Sequence, residues 1–233
     1  MVDEKKIIVA LDKPGREQAL SICDQLSPEL CRVKVGHELF TSVGPSVITE
    51  LQQRGFEIFL DLKYHDIPNT VANACSMAAD LGVWMVNVHA SGGSQMLQSA
   101  RRALGEPGAQ VPLLIAVTVL TSMEHSDLQE TGVARSIDEQ VLALATLTYN
   151  AGLDGVVCSA REAAMLSVEF PSMIKVTPGI RLATDDANDQ KRVTTPQQAI
   201  SNGANYLVIG RSITGAADPL QTLQTIAAGL ATL

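Results

Sequence analysis

Three charged side chains stand within six residues of each other in the stretch FLDLKYHDIPNT, which runs from Phe59 to Thr70. They are Asp61, Lys63 and Asp66, and they follow an apolar run that is typical of a buried strand. Strand interiors rarely carry this much charge, so one interpretation is a functional site that uses these groups. A structural ion pair between Asp61 and Lys63 is the alternative interpretation.

Alternation along the strand favours the functional interpretation. Successive side chains of a strand point to opposite faces, so Asp61 and Lys63 share a face with Phe59. The residues that face the other way, and that we expect to pack on helices, are Ile58, Leu60 and Leu62. Polar side chains also end other apolar runs, at Asp12, Lys34, His89 and Thr121. Lys34 adds a second ion pair, and two partly buried pairs side by side are costly unless a site uses them.

Two later motifs combine glycine with arginine after an aliphatic run. They are TPGIR, residues Thr177–Arg181, and IGRS, residues Ile209–Ser212. Glycine lets backbone N–H groups approach a ligand closely, and arginine offers a bidentate fork that matches phosphate. We therefore predict a phosphate site that both motifs form together, although either arginine alone is more typical of a solvated surface.

A long polar segment separates the two motifs. It reads LATDDANDQKRVTTP, from Leu182 to Pro196, and it has no core-facing period. A loop of this length inside a compact domain is usually functional. We predict a lid that closes over the phosphate, the alternative being a variable surface loop.

Eight apolar runs, each followed by a segment of helical period, must position these groups. The runs are Ile7–Asp12, Cys31–Gly36, Glu57–Lys63, Trp84–Ala90, Leu113–Val119, Gly155–Ala160, Met173–Gly179 and Tyr206–Ser212. Ser136 and Glu139 form a capping box that begins one of the helices, and Gly152 marks its end.

This pattern predicts one α/β domain, a (β/α)8 barrel over residues 1–233, because strand–helix–strand units build parallel sheets. The polar strand ends then meet over one pocket. A doubly wound open sheet is the alternative. It is disfavoured because no strand–helix junction carries GxGxxG or GxxxxGK[ST], and because the polar residues end many different strands.

Composition excludes several function classes. The net charge is −8 and aromatic residues make up 3% of the chain, so neither a basic footprint nor a stacking platform for nucleic acid is expected. The start MVDEKKIIVALD lacks the apolar stretch of a signal peptide, and the longest apolar run, Val111–Leu120, is too short to span a membrane. We expect a cytoplasmic protein that binds neither nucleic acid nor membranes.

No metal or cofactor is expected. The four cysteines show no CxxC spacing, which indicates free thiols in a reducing compartment. The four histidines show no HxH or HExxH spacing. His65 and His89 could reach the rim beside Asp61, but the ammonium group of Lys63 among them would repel a cation. His125 is expected to be exposed.

Several sequence motifs of the chain resemble those of the orotidine 5′-phosphate decarboxylase family. The stretch LDLKYHDIPNT is similar to the family pattern D-x-K-x-x-D-I-P-x-T, and VALD, VKVG, VLTS, TPGIR and IGRSI follow the order of further family motifs. The similarity covers the whole chain and is greatest to the compact bacterial members. It implies the cofactor-free conversion of orotidine 5′-phosphate to uridine 5′-phosphate and CO2, the last step of de novo pyrimidine nucleotide synthesis.

The resemblance also implies roles for individual residues. Lys63 would protonate C6 of the pyrimidine, Asp61 would lie beside the substrate carboxylate, and Lys34 would link Asp61 to the ribose. Asp66 and Thr70 would cross a homodimer interface into the partner's site. The remaining substrate contacts would come from Asp12 at the ribose, Thr121 at the pyrimidine, and Gln190, Gly210 and Arg211 at the phosphate. Arg181 matches a binding arginine of the family whose ligand atom the sequence does not identify.

Two other functions stay open at this point. Related barrels that act on sugar phosphates keep D-x-K-x-x-D without I-P-x-T, and they place an acidic metal ligand where this chain has Lys34. A metal-dependent sugar-phosphate decarboxylase or lyase is therefore one alternative. A barrel that binds a phosphorylated ligand without turnover is the other.

Overall fold

The computed structural model describes residues 5–12, 15–106, 108, 111–182 and 194–232. Within these ranges, eight parallel strands form a closed barrel in the order of the chain. The strands are β1 (Ile7–Ala10), β2 (Cys31–Gly36), β3 (Ile58–Tyr64), β4 (Met85–His89), β5 (Leu113–Val117), β6 (Gly155–Val157), β7 (Ile174–Thr177) and β8 (Tyr206–Ile209). The predicted (β/α)8 barrel is confirmed. The open sheet is wrong, because β1 pairs with both β2 and β8.

Helices surround the barrel and connect its strands. They are α1 (Arg16–Cys23), α2 (His37–Val43), α3 (Ser46–Gln53), α4 (Pro68–Asp80), α5 (Gly93–Leu104), α6 (His125–Glu130), α7 (Ile137–Asn150), α8 (Ala160–Glu169), α9 (Pro196–Ser201), α10 (Arg211–Thr214) and α11 (Pro219–Ala231). In the described ranges, none of the helices is both long and apolar enough to cross a bilayer.

The strands separate two apolar layers. Phe59 and Met85 belong to a cluster inside the barrel, to which β1, β5, β7 and β8 also contribute. Ile58 and Leu60 belong to the larger cluster between the barrel and the helices. The predicted alternation along β3 is therefore confirmed, and the inner cluster closes the barrel beneath the polar strand ends.

Capping boxes set several helix starts. The predicted box of Ser136 and Glu139 begins α7. Ser159 and Glu162 form another box at α8, which is why β6 ends at Val157. The predicted strand Gly155–Ala160 was therefore too long, since its last residues satisfy the N–H groups of a helix instead of extending the ladder.

The end of β3 departs from regular pairing. Leu60 pairs with Val86 and Tyr64 with Val88, so three residues of β3 lie opposite the single residue Asn87. Lys63 adopts a φ of 47°, and it is the one non-glycine residue with positive φ in the described part of the chain. Such a backbone conformation costs free energy and often occurs at functional sites.

Candidate active site

A cavity of about 500 Å³ opens at the carboxyl ends of the strands. Eight of the predicted site residues line it: Asp12, Lys34, Asp61, Lys63, Thr121, Arg181, Gly210 and Arg211. The closed barrel brings them together because every parallel strand ends at the same rim. Asp12, Lys34 and Thr121 thus lie around one pocket as the sequence predicted, but His89, which was expected at the same rim, is not among the described residues that line it.

A row of alternating charges crosses one side of the cavity. The Nζ of Lys34 lies 3.1 Å from Oδ1 of Asp12 and 3.3 Å from Oδ2 of Asp61. The other oxygen of Asp61, Oδ1, lies 2.7 Å from Nζ of Lys63. The row therefore reads Asp12, Lys34, Asp61, Lys63, with each inner member between two opposite charges.

Lys34 and Asp61, the two inner members of the row, keep their charges although both are buried. Burial alone would raise the pKa of Asp61, but the positive charges of Lys34 and Lys63 and their hydrogen bonds hold it below its ordinary value. Burial would lower the pKa of Lys34, but Asp61 and Asp12 raise it above its ordinary value. Both groups therefore stay charged across the physiological range.

A glycine makes room for the ammonium group of Lys34. Gly36 is two residues further along β2 and faces the same side of the strand. A Cβ at this position would lie 3.0 Å from Nζ of Lys34. Any larger residue would press on the ammonium group that joins Asp12 to Asp61.

Sequence reasoning missed Asn87, on β4. Its side chain is fully buried and donates from Nδ2 to Oδ1 of Asp61 over 2.7 Å. Its Oδ1 accepts a hydrogen bond of 2.8 Å from the backbone N–H of Lys63. The available signal was an amide in an apolar strand, two residues after Met85 and so on the same inward face.

The arginine motifs lie across the barrel from Lys63, but Gly210 lies beside Asp12 at the other end of the charge row, because β8 pairs with β1. In a closed barrel of eight strands, β7 is opposite β3 and β8 is opposite β4. Arg181 follows β7 and is buried, and its Nη1 donates to its neighbour's carbonyl, that of Ile180, over 3.0 Å. Gly210 and the exposed Arg211 follow β8. The cavity thus has Lys63 on one wall and two arginines on the opposite wall.

A short backbone bridge forms beside the predicted lid, whose residues 183–193 lie outside the described residues. Ile180 pairs with Thr194, and the N–H of Arg181 donates to the carbonyl of Thr194 over 3.1 Å. The predicted phosphate ligand Gln190 lies outside the described residues. The bridge places both ends of this segment beside Arg181.

Comparison with known proteins identifies the family. The sequence profile of the family described as "Orotidine 5'-phosphate decarboxylase / HUMPS family" matches residues 5–226. The chain belongs to this family. The resemblance inferred from the sequence motifs is confirmed.

Relatives and solved structures agree with the family assignment. The chain is 56% identical over 230 residues to the orotidine 5′-phosphate decarboxylase of Salmonella gallinarum, covering 98% of this chain and 94% of the relative. The same values hold for the enzyme of Escherichia coli O139:H28. The crystal structure of the decarboxylase from Lactobacillus acidophilus is 41% identical, with a TM-score of 0.86 and coverage of 97% and 99% of the two chains.

Two predicted residues of this family member lie away from the main cavity. Asp66 and Thr70 line a smaller cavity of about 310 Å³ with Lys63, Tyr64 and His65. Asp66 is exposed, and its carboxylate accepts a hydrogen bond of 2.6 Å from the N–H of Ile67. Within one chain, Asp61 therefore contacts the ammonium group of Lys63, whereas the carboxylate of Asp66 is exposed and bonds to the backbone of Ile67.

Histidines lie near the charge row without forming a metal centre. The rings of His65 and His89 are 5.5 Å apart, and burial together with the nearby charges of His65 and Lys63 lowers the pKa of His89. Among the described residues, no group of three or more His, Cys, Asp or Glu side chains is placed to hold a metal ion. His125 is exposed and contacts Gln129.

Proposed function

We propose that this protein converts orotidine 5′-phosphate to uridine 5′-phosphate and CO2, the last step of de novo uridine 5′-phosphate synthesis. The observation that carries the proposal is the row from Asp12 to Lys63, which ends in an ammonium group on the wall of the cavity. Relatives that are 56% identical are named for this activity.

The chemistry requires a positive charge and a proton at one carbon atom. When the C6–carboxylate bond breaks, CO2 leaves and the electron pair stays on C6 in the plane of the ring, where no π system delocalises it. In our proposal the Lys63 ammonium group stabilises this charge and then transfers a proton from Nζ to C6. The neutral amine afterwards regains a proton from solvent, so that atoms and charges balance.

The other members of the row hold Lys63 and the sugar in place. Asp61 contacts Nζ of Lys63 directly, so it fixes the proton donor beside the substrate carboxylate. Lys34 links Asp61 to Asp12, and we assign Asp12 to the ribose hydroxyl groups. Thr121, on the cavity rim, is assigned to the pyrimidine.

The rim after β7 and β8 would bind the phosphate. We assign Gly210 and Arg211 to the phosphate oxygens together with Gln190, and Arg181 to the same end of the ligand. Arginine contacts a phosphate through charge-assisted hydrogen bonds, which are stronger than neutral ones. Binding energy from this remote group can align the reacting end of the substrate against the charge row.

We further propose that the active form is a homodimer. Lys63 lines both the main cavity and the smaller cavity that contains Asp66 and Thr70. Two apolar side chains nearby are exposed, Ile67 by 67% and Met77 by 58%. A second copy that covers this surface would bring Asp66 and Thr70 of one protomer to the other protomer's site.

The cytoplasm is our proposed compartment. The four cysteines, Cys23, Cys31, Cys75 and Cys158, are free and buried. Burial raises the pKa of Cys23 and Cys31 to about 12, which keeps the thiols protonated and unreactive. Free thiols of this kind suit a reducing compartment.

The test is the near-ultraviolet change on conversion of orotidine 5′-phosphate by purified protein with excess chelator present. Conversion that the chelator does not affect supports the proposal. Activity that the chelator abolishes, or turnover of sugar phosphates only, would instead support a metal-dependent barrel enzyme. Tight binding without turnover would indicate a binding protein.

A further inference from the structure

Asn87 lies on β4 opposite the irregular end of β3. Three residues of β3 lie opposite Asn87, so the regular ladder between β3 and β4 is interrupted there. The side chain of Asn87 is fully buried, and it is not among the described residues that line the main cavity. A buried amide without hydrogen-bond partners would destabilise the fold. The partners of the Asn87 side chain therefore indicate its role.

One partner is the backbone of Lys63. The positive φ of 47° turns this residue out of the strand conformation, which costs a non-glycine residue free energy. The pairing of β2 with β3 ends at Gly36 and Asp61, and the Lys63 N–H donates to Oδ1 of Asn87 on β4 over 2.8 Å. The amide thereby stabilises the backbone conformation that sets the direction of the Lys63 side chain.

The other partner is the carboxylate that contacts the Lys63 ammonium group. Nδ2 of Asn87 donates over 2.7 Å to Oδ1 of Asp61, and the same oxygen lies 2.7 Å from Nζ of Lys63. Only a side chain with an acceptor and a donor on one planar group can satisfy both partners. An aspartate offers two acceptors and a leucine offers neither.

We propose that Asn87 is a positioning residue that aligns the Lys63 ammonium group by fixing its backbone and its carboxylate partner together. This inference rests on the proposed decarboxylase function. Misplacing a reacting group by about 1 Å can reduce the rate on the order of 10²-fold. The residues assigned to ribose and phosphate lie on other strands, so substrate affinity should change little.

The test compares Asn87→Leu and Asn87→Asp with wild type and with a control, Asn205→Leu. Asn205 is a suitable control because its Oδ1 also accepts a backbone N–H, that of Lys175 over 2.8 Å, but at the exposed start of β8. For each protein we would measure kcat on orotidine 5′-phosphate, its pH profile, and the Kd of uridine 5′-phosphate.

We expect Asn87→Leu to lower kcat about 10²-fold while the Kd of uridine 5′-phosphate stays within about threefold of wild type. The acid limb of its profile should move to higher pH, because Asp61 loses a hydrogen bond that favours its ionised form. Asn87→Asp keeps an acceptor for the Lys63 N–H but must be protonated to donate to Asp61. Its kcat relative to that of Asn87→Leu should therefore increase as the pH falls.

Different outcomes separate the possible failures. Wild-type kcat and an unshifted acid limb in Asn87→Leu would overturn the inference, as would full activity of Asn87→Asp at neutral pH. If Asn87→Leu fails to bind uridine 5′-phosphate because it misfolds, the isosteric Asn87→Asp decides alone. If folded wild type does not turn over orotidine 5′-phosphate, the proposed function fails and the inference fails with it. Asn205→Leu should match wild type in kcat and pH profile.

Discussion

Lys34 and Asp61 form an ion pair inside the barrel mouth, with 3.3 Å between Nζ and Oδ2. Their side chains are only 10% and 11% exposed. Each member has a second partner of opposite charge, Asp12 for Lys34 and Lys63 for Asp61. The pair is therefore the centre of the charge row, and removing either member leaves the other buried with one opposite charge fewer.

Lys34→Met should destabilise the fold by about 3 kcal/mol, because removing one member of a buried pair leaves the other desolvated. Chemical denaturation at neutral pH measures the effect. Lys5→Met is a matched control, since the Lys5 ion pair with Glu57 is 3.1 Å long but more exposed, at 29% and 39%. An exposed pair contributes less than about 1 kcal/mol. An equal decrease in unfolding free energy in the two variants would contradict the stabilising role of the buried pair.

The contribution of Asp61 to the stability of the fold should be lost at acid pH. Its folded-state pKa lies below its unfolded value of about 3.9, so the contribution is present above about pH 4 and is lost as the pH falls through the folded pKa. The difference in unfolding free energy between wild type and Asp61→Asn should narrow below about pH 4. Urea unfolding across a pH series checks this. A difference independent of pH would show that ionised Asp61 is not the source.

Arg211→Ala should weaken binding of uridine 5′-phosphate by about 10- to 100-fold, the value of one or two charge-assisted hydrogen bonds. The affinity for uridine, which has no phosphate, should not change. Isothermal titration calorimetry with both ligands measures this, and Arg102→Ala on the exposed end of α5 is the control. An unchanged affinity for uridine 5′-phosphate would place the phosphate elsewhere.

A mixture of Lys63→Ala and Asp66→Asn proteins should recover activity that neither has alone. If Asp66 acts across a dimer interface, a mixed dimer contains one native site, formed by Lys63 of one chain and Asp66 of the other. Random exchange would restore about a quarter of the wild-type sites. Activity is measured after subunit exchange, with sedimentation to verify the dimer. If no activity returns although mixed dimers form, Asp66 does not act across the interface.

Sequence patterns predicted most of the charge row because its members share simple signals. Asp12, Lys34, Asp61 and Lys63 all end apolar runs, and the alternation on β3 put Asp61 on the inner face with Phe59. Parallel strands of a barrel then bring these ends to one rim.

The details of the charge row could not be predicted because they depend on pairing between strands. The positive φ of Lys63 has no sequence signal, since lysine does not favour that conformation. Asn87 matters only because the register shift places it opposite the end of β3. Asp66 follows the same strand as Lys63, yet its side chain lies on the outer surface.

The most direct test of the central claim, that Lys63 is the proton donor, compares wild type with Lys63→Ala on orotidine 5′-phosphate with excess chelator present. We expect rapid conversion by wild type and at least about 10³-fold slower conversion by the variant. We also expect the variant to keep its fold and its affinity for uridine 5′-phosphate. Conversion by folded Lys63→Ala at nearly the wild-type rate would contradict the assignment of Lys63.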